Sequence, residues 1–511
     1  MVKLKKNLIN YKIEIVGTLI LVLLAYGLVL FPHYSQDTYM KLYLYSNMSI
    51  EEYIKSMSDI VGAGRFFYAI MLIITKIMFN SGVVYNIFVN ILNLIMFFIL
   101  IFSTYIMLNR SHCNKNEKIL NYIISSTIYI TPLFVDWIIF PECTPYYLFG
   151  ILLVFLSIKF FWNHKNKNIN IILSLLFLIL GVGIYQPVIA YFILLFGLNL
   201  WINFLDSLYS DKLSNVMKNS FFDILKAVIL CLIAVSIQLC IIKLFNNTHR
   251  ASNDIVYNIK NVVNSQKSFW LMQNVGDKTY IYILSFLIIV ILFVHSVYTL
   301  KLELKKKSIV IIFSVLFFVI WYISIFFTHI FIEPWISQRT IPTFFAGISV
   351  CSFMTISIYK KSNYSKKSFL FLSIGVILSI LIINNIYKSN SLQIDLFKVN
   401  ALDREISSLV EQEIEVYETR NNIQVTKIAI ATDVNTTWTY QDVFCSYDMN
   451  IRAWAKDWSA VGALYFYTGR YLELTSMKET IYDKYFKNKD WHNFSKEQLY
   501  FEGDTLNIIL Y

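Results

Sequence analysis

Charge and the two helix-breaking residues are what this chain has least of. Only 15% of its 511 residues are charged, where a soluble domain carries roughly 25%. Proline occurs seven times and glycine fifteen times, which excludes long linkers of the flexible Pro/Gly-rich kind. The six cysteines (Cys113, Cys143, Cys231, Cys240, Cys351 and Cys445) form no C-x-x-C pair and keep no metal-ligand spacing. Most lie in apolar runs and read as small core residues. No G-x-x-x-x-G-K, H-E-x-x-H or G-x-S-x-G occurs, so nucleotide hydrolysis and zinc or serine chemistry have no support. No cofactor and no metal is implied, and no internal repeat stands out.

What the chain has in abundance is hydrophobic sequence, 57% of it. That is the composition of an integral membrane protein with many spans, and its solvent is the lipid bilayer. The net charge of +11 fits Lys-rich cytoplasmic loops rather than a nucleic-acid partner. The N-terminal MVKLKKNLINYK precedes an apolar run, 13–31, about as long as a full span. With no small-residue cleavage site after it, the run reads as a retained signal-anchor helix.

Further apolar runs lie at about 66–80, 84–108, 119–135, 145–162, 169–184, 187–204, 223–243, 280–300, 308–328, 341–359 and 368–387. From 84 onward, short basic loops (Arg110–Lys118, Lys165–Lys167, Lys212–Lys218, Lys301–Lys307, Lys360–Lys367) alternate with loops holding Asp136 and Glu142, Tyr185 and Gln186, and Glu333. The basic set is therefore cytoplasmic. If 66–80 also crossed, Lys3, Lys5, Lys6 and Lys12 would fall outside, against the same rule. That run is short, carries Lys76 and ends at Asn80-Ser81-Gly82, so it reads as an interfacial helix on the outer surface. The expectation is a polytopic α-helical membrane protein of about eleven transmembrane helices with its N-terminus cytoplasmic. All seven prolines then fall at outer span ends or in outer loops, which points to a cavity in the outer half, because irregular backbone at membrane depth survives only against protein or a wet cavity. The stretch 244–279 forms a longer outer loop, either a lid or a solvated connector.

After residue 387 the composition turns polar. Val425–Ala431 reads as a buried strand, 499–511 as a hairpin turning at Glu502-Gly503-Asp504, and Asp395–Glu418 and Ile451–Tyr467 as helices. Residues 388–511 thus form a small α/β domain, extracytoplasmic by parity, after a membrane domain at 1–387 whose first outer loop is 31–83.

The chemistry-bearing residues gather in the outer loops. Asp37 lies in Ser35-Gln36-Asp37-Thr38-Tyr39, where the first span leaves the bilayer. A base that takes a proton from a sugar hydroxyl needs a partly dry setting of this kind; a helix cap or solvated loop acid is the plainer reading of the residue alone. Arg65, in Gly62-Ala63-Gly64-Arg65, and Arg339, at the mouth of a later span, stay charged and can each grip two phosphate oxygens; the plainer reading is a pair of snorkelling anchors. Glu142, set between Pro141 and Pro145, and Tyr185-Gln186 offer donors, acceptors and an aromatic face to a sugar. As a loop charge and an aromatic-belt tyrosine they would need no such role.

Together these pieces resemble the GtrII family of bacterial polytopic glucosyltransferases, which are of the GT-C type. That family shows an acidic pair followed by an aromatic just after its first span, then Gly-Arg, then Tyr-Gln mid-chain. Here Asp37-Thr38-Tyr39, Gly64-Arg65 and Tyr185-Gln186 match in order over roughly 15–360, with Thr38 in place of the second acid. The resemblance implies transfer of a hexosyl group from a polyprenyl-phosphate sugar to a surface glycan acceptor at the outer face of the membrane. Asp37 would be the sole candidate base, Arg65 and Arg339 would hold the phosphate, and Tyr39, Glu142, Tyr185 and Gln186 would meet the substrates. A lipid-linked oligosaccharide flippase is the non-enzymatic alternative, but it calls for ionisable residues inside the spans, and these are scarce. A polysaccharide polymerase would differ only in product length. A topology reporter fused after residue 82 is expected to read outside the cytoplasm, and a cytoplasmic signal there would overturn the assignment of 66–80.

Overall fold

The structure, a computed structural model, describes residues 11–510 except 80–81, 110–113, 142, 164, 246–253, 272, 274–278, 332–335, 363–366, 434–435, 447–448, 488, 490 and 492, and of 44–46, 82–84, 331 and 367 it describes the backbone alone. Among the described residues, ten helices are long and apolar enough to cross a membrane. Hydrocarbon offers the backbone no hydrogen-bond partner, so uninterrupted apolar runs close their own i to i+4 bonds and become helices. The eleventh expected span, 341–359, is a helix at Ala346–Lys361. Its sixteen residues rise about 24 Å, against a hydrocarbon core of about 30 Å. A 3-10 turn at Gln338–Thr340 precedes it. Buried Ser337, Gln338, Ile341 and Thr343 show that this irregular approach is wrapped in protein.

The expected interfacial run is a 13-residue helix, Phe66–Met78, too short at about 20 Å to cross. It turns Tyr68, Ala69 and Leu72 inward and leaves Ile70, Ile74 and Ile77 exposed. Its first residue packs on the helix Lys167–Ile184, where a Cβ added at Gly183 would come within 2.4 Å of the Phe66 ring. The described part of the long loop contains a helix, Ile255–Trp270, capped by the Asp254 carboxylate, which accepts the Tyr257 N–H at 2.8 Å. Its C-terminal end is packed, with Phe269 and Trp270 against Phe344 at ring distances of 5.9 and 5.0 Å, while Ile255, Val256, Tyr257, Ile259 and Val263 stay exposed.

One helix, Lys367–Asn421, runs 55 residues, roughly 80 Å. It passes the expected boundary at 387 without a break and enters the polar C-terminal part of the chain. There Val399, Ile406, Val410 and Ile414 form one buried face. A four-stranded sheet packs with it, in the order β2-β1-β4-β3, from β1 (Lys427–Thr432), β2 (Glu473–Thr475), β3 (Leu499–Glu502) and β4 (Thr505–Leu510). β1 pairs in parallel with β2 and β4, while β3 and β4 form the expected hairpin. The helix Asp457–Thr468 closes this second core. Arg470 pins its end to the long helix through Glu411, at 2.7 Å, and Glu418, at 2.9 Å.

The second core also takes in Tyr34, Tyr39 and Leu42 of the first loop. Asn400 bolts the loop to the long helix, accepting the Tyr34 N–H at 2.9 Å and donating to the Tyr34 carbonyl at 2.7 Å. Gln36 donates to the Arg452 carbonyl at 2.8 Å, and Gln338 to Ser446 Oγ at 2.9 Å. The C-terminal domain therefore sits on the end of the bundle that carries the loops with Asp37 and Arg339.

Within that domain Asp403 is fully buried on the long helix. Its Oδ1 accepts the Tyr440 hydroxyl at 2.8 Å and the Ala453 N–H at 3.0 Å. Burial pushes the Asp403 carboxyl up to about 7, outweighing Tyr440, the Ala453 N–H and Arg452, which all favour the charged form. An unfolded chain releases the same proton near pH 4. The folded domain thus holds the extra proton between these limits, and its stability falls as pH rises from about 4 to about 7. Thermal unfolding followed by intrinsic tryptophan fluorescence is expected to show that slope in the full chain and to lose it in Asp403→Asn.

Candidate active site

The turn Gly62-Ala63-Gly64-Arg65 carries the first cation. Gly64 has φ 77°, a left-handed conformation that costs little only for glycine. A Cβ at Gly64 would also meet Gln238 Cγ at 2.9 Å and Ile242 Cδ1 at 3.0 Å. Two side-chain amides hold the turn's carbonyls: Gln186 Nε2 donates to Ala63 at 2.7 Å and Gln238 Nε2 to Gly64 at 3.4 Å. The turn delivers the Arg65 guanidinium to 5.1 Å from the centroid of the Tyr185 ring, a cation–π distance.

Tyr185 sits in extended backbone between two membrane helices, Lys167–Ile184 and Val188–Ser210. Its ring stacks on Tyr147, with centroids 4.1 Å apart and planes at 12°. Its hydroxyl donates to the Arg339 carbonyl at 3.3 Å, which also accepts Trp137 Nε1–H at 2.6 Å. The Arg339 N–H donates to buried Asp136 Oδ2 at 2.8 Å. The Arg339 guanidinium lies 5.0 Å from the Phe140 ring centroid. Residues 65, 185 and 339, far apart in the chain, thus converge around one tyrosine stack.

The loop helix Gln36–Asn47 approaches from the other side. Ser35 and Thr38 cap it reciprocally: Thr38 Oγ1 accepts the Ser35 N–H at 3.1 Å, and Ser35 Oγ accepts the Thr38 N–H at 3.2 Å. Asp37, half-buried in the first turn, makes no hydrogen bond or ion pair with the described residues. Four residues on, and so on the same helical face, Lys41 donates to Cys143 Sγ at 3.4 Å. The Tyr68 hydroxyl lies 3.0 Å from the same sulfur, and its ring centroid is 5.7 Å from that of Tyr147. The face of the loop helix that carries Asp37 is thereby joined to the arginine cluster through Cys143 and Tyr68.

The family described as Glucosyl transferase GtrII matches residues 45–354. The chain belongs to the GtrII glucosyl transferase family. It is a membrane enzyme that transfers a glycosyl group. No curated protein and no solved structure matches the chain. The matched stretch contains Gly64-Arg65, Tyr185-Gln186 and Arg339; it begins after Asp37 and ends before the long helix.

In this GtrII protein the Gly-Arg and Tyr-Gln pairs form one physical unit, since Gln186 holds the turn that aims Arg65 and Tyr185 receives it. Gln186, expected to meet substrate, has its amide donor committed to that turn. Tyr39, also expected to meet substrate, belongs elsewhere. Its ring is fully buried beside Tyr34 and Phe466, and its hydroxyl pairs with that of Tyr467 at 2.7 Å. A buried ring with a satisfied hydroxyl has nothing left for a sugar, so Tyr39 anchors the loop helix. Thr38, at the position of the second acid, is buried and spent on the cap. Glu142 lies outside the described residues. Asp136, Trp137, Tyr147, Tyr68 and Lys41 were not singled out from the sequence. Of these, Asp136 carried a signal, as a carboxylate at the edge of an apolar run is costly and marks function. Gly64→Ala is expected to cost on the order of 1–3 kcal/mol locally through its backbone conformation. It should depress glycosyl transfer at least tenfold while the fold is retained; transfer assays paired with thermal melts of the purified protein check this.

Proposed function

We propose that this protein moves a hexosyl group, glucose by family, from a polyprenyl-phosphate sugar to a surface glycan at the outer face of the bacterial cytoplasmic membrane. The observation that carries this reading is the convergence of Arg65 and Arg339 on the Tyr147–Tyr185 stack. Two fixed cations at a membrane mouth suit a phosphate that arrives on a lipid, because preorganised charge acts most strongly where water is thin. A lipid donor also accounts for the short helix at 66–78, which leaves a sideways approach for a lipid tail.

In the proposed reaction the acceptor hydroxyl gives its proton to Asp37 as its oxygen bonds to the anomeric carbon. The bond from that carbon to the phosphate oxygen breaks, and the polyprenyl phosphate leaves as an anion against Arg65 and Arg339. One displacement inverts the anomeric configuration. Asp37 suits the part because it is half-buried, makes no bond to the described residues and lies one helical turn from Lys41. Tyr185 and Gln186 position the cations, and Glu142 orients the sugar or the acceptor. The short basic loops support a cytoplasmic N-terminus and an extracytoplasmic C-terminal domain.

A general base contributes about 10²–10⁴-fold. Asp37→Asn is therefore expected to lower transfer from a lipid-phosphate glucose donor by that factor, with donor KM little changed. Wild-type turnover in the purified variant would remove Asp37 from the mechanism.

A further inference from the structure

The helix Gly82–Leu108 contains no charged residue, yet its buried face carries three asparagines. Asn86, Asn90 and Asn93 fall one turn apart and are only 6%, 2% and 1% exposed. Asn90 Nδ2 donates to Asn86 Oδ1 at 3.0 Å. Asn86 Nδ2, Asn90 Oδ1 and both amide atoms of Asn93 have no hydrogen-bond partner among the described residues. Four orphaned amide atoms in an otherwise apolar helix weigh against the fold, because buried polar groups are almost always satisfied. Packing does not explain them: leucine would fill the same face without the desolvation cost.

Their place explains them better. Tyr85, the residue before the ladder, pairs its hydroxyl with that of Tyr146 at 2.9 Å. Tyr146 lies 5.5 Å, ring to ring, from Tyr68, which contacts Cys143 and through it Lys41. The asparagine helix packs against the loop helix of Asp37, the turn Gly27–Leu30 and the helix Thr144–Phe161. At its far end Phe97 closes the face against Tyr26 and Phe134, at 4.5 and 5.1 Å. The ladder therefore starts beside the proposed reaction centre and descends about 10 Å along the helix.

A carboxamide is neutral and both donates and accepts. Its complement is a neutral ligand with the same double capacity at several positions. A phosphate, which accepts only, belongs with the arginines. We propose that Asn86, Asn90 and Asn93 form the sugar-recognising face of the site, which takes the hydroxyls of a pyranose ring. This rests on the glycosyl-transfer reading above and adds to it the residues that select the sugar. The ring is that of the lipid-linked donor or that of the acceptor, and the experiment separates the two.

Full-length protein in nanodiscs would be melted alone, with farnesyl phosphate, with farnesyl phosphoryl glucose, and with farnesyl phosphate plus methyl glucoside. Wild type is expected to melt higher with one of the two sugar-bearing additions than with farnesyl phosphate alone. An increment from farnesyl phosphoryl glucose assigns the ladder to the donor, and one from methyl glucoside to the acceptor. Asn93→Leu should abolish that increment, keep the response to farnesyl phosphate, raise the KM for the sugar substrate at least tenfold, and melt no lower than wild type when free. Asn93→Ala gives the same reading should the leucine variant fail to fold. A wild-type protein with no sugar-dependent increment, or a variant that keeps the full increment, overturns the inference. Failure of farnesyl phosphate to stabilise wild type would instead strike the arginine reading, while the sugar increment would still judge the ladder.

Discussion

The structure turns on one tyrosine that ties two arginine segments together. Arg65 comes from a surface turn and Arg339 from the mouth of a late helix, and neither would be held beside the other by its own element. Tyr185 receives the first on its face and bonds the backbone of the second through its hydroxyl. The two arginines come from distant parts of the chain, so their convergence on Tyr185 needs a rigid scaffold. That scaffold is the Tyr147 stack, the Gln186 and Gln238 grips on the glycine turn, and the Asp136 and Trp137 bonds to Arg339. Phe66, seated on Gly183, continues the support into the short helix Phe66–Met78.

The C-terminal domain supplies the matching constraint on the opposite wall. The helix Asp457–Thr468 lies so close to the loop helix that a Cβ at Gly462 would stand 2.8 Å from the Tyr39 carbonyl carbon. Backbone cannot yield as a flexible side chain can, so this contact sets where the Asp37 helix lies. Tyr34 and Tyr39 extend the hold into the second core, and Asn400 closes it from the long helix. A domain outside the matched family stretch thus acts on the proposed chemistry by fixing a wall of the site.

Several features were legible because they rest on local rules. Long apolar helices follow from run length, the hairpin from Glu502-Gly503-Asp504, and the short helix at 66–78 from the brevity of its apolar run. The order of Gly-Arg and Tyr-Gln suggested the family, though not that the two pairs touch. Contacts between segments over a hundred residues apart leave no local trace. Tyr39 shows the same limit: the family-like motif placed it among the substrate residues, and only the tertiary structure encloses it in the second core. The helix over 341–359 begins only at Ala346 because Pro342 and the turn at 342–345 use residues that composition alone assigns to it.

By itself the sequence determined the solvent, the approximate set of helices, the polar domain at the end and the residue types available for transfer chemistry. These depend on apolar run length, charge placement and turn residues, which act over a few residues at a time. Tertiary structure decided which of those residues meet. It grouped Arg65, Tyr185 and Arg339, enclosed Tyr39, spent Thr38 on a cap and buried three asparagines beside the site. The reason is that convergence of distant side chains is set by helix packing against the bilayer and against the second core, and packing is a property of the assembled surfaces.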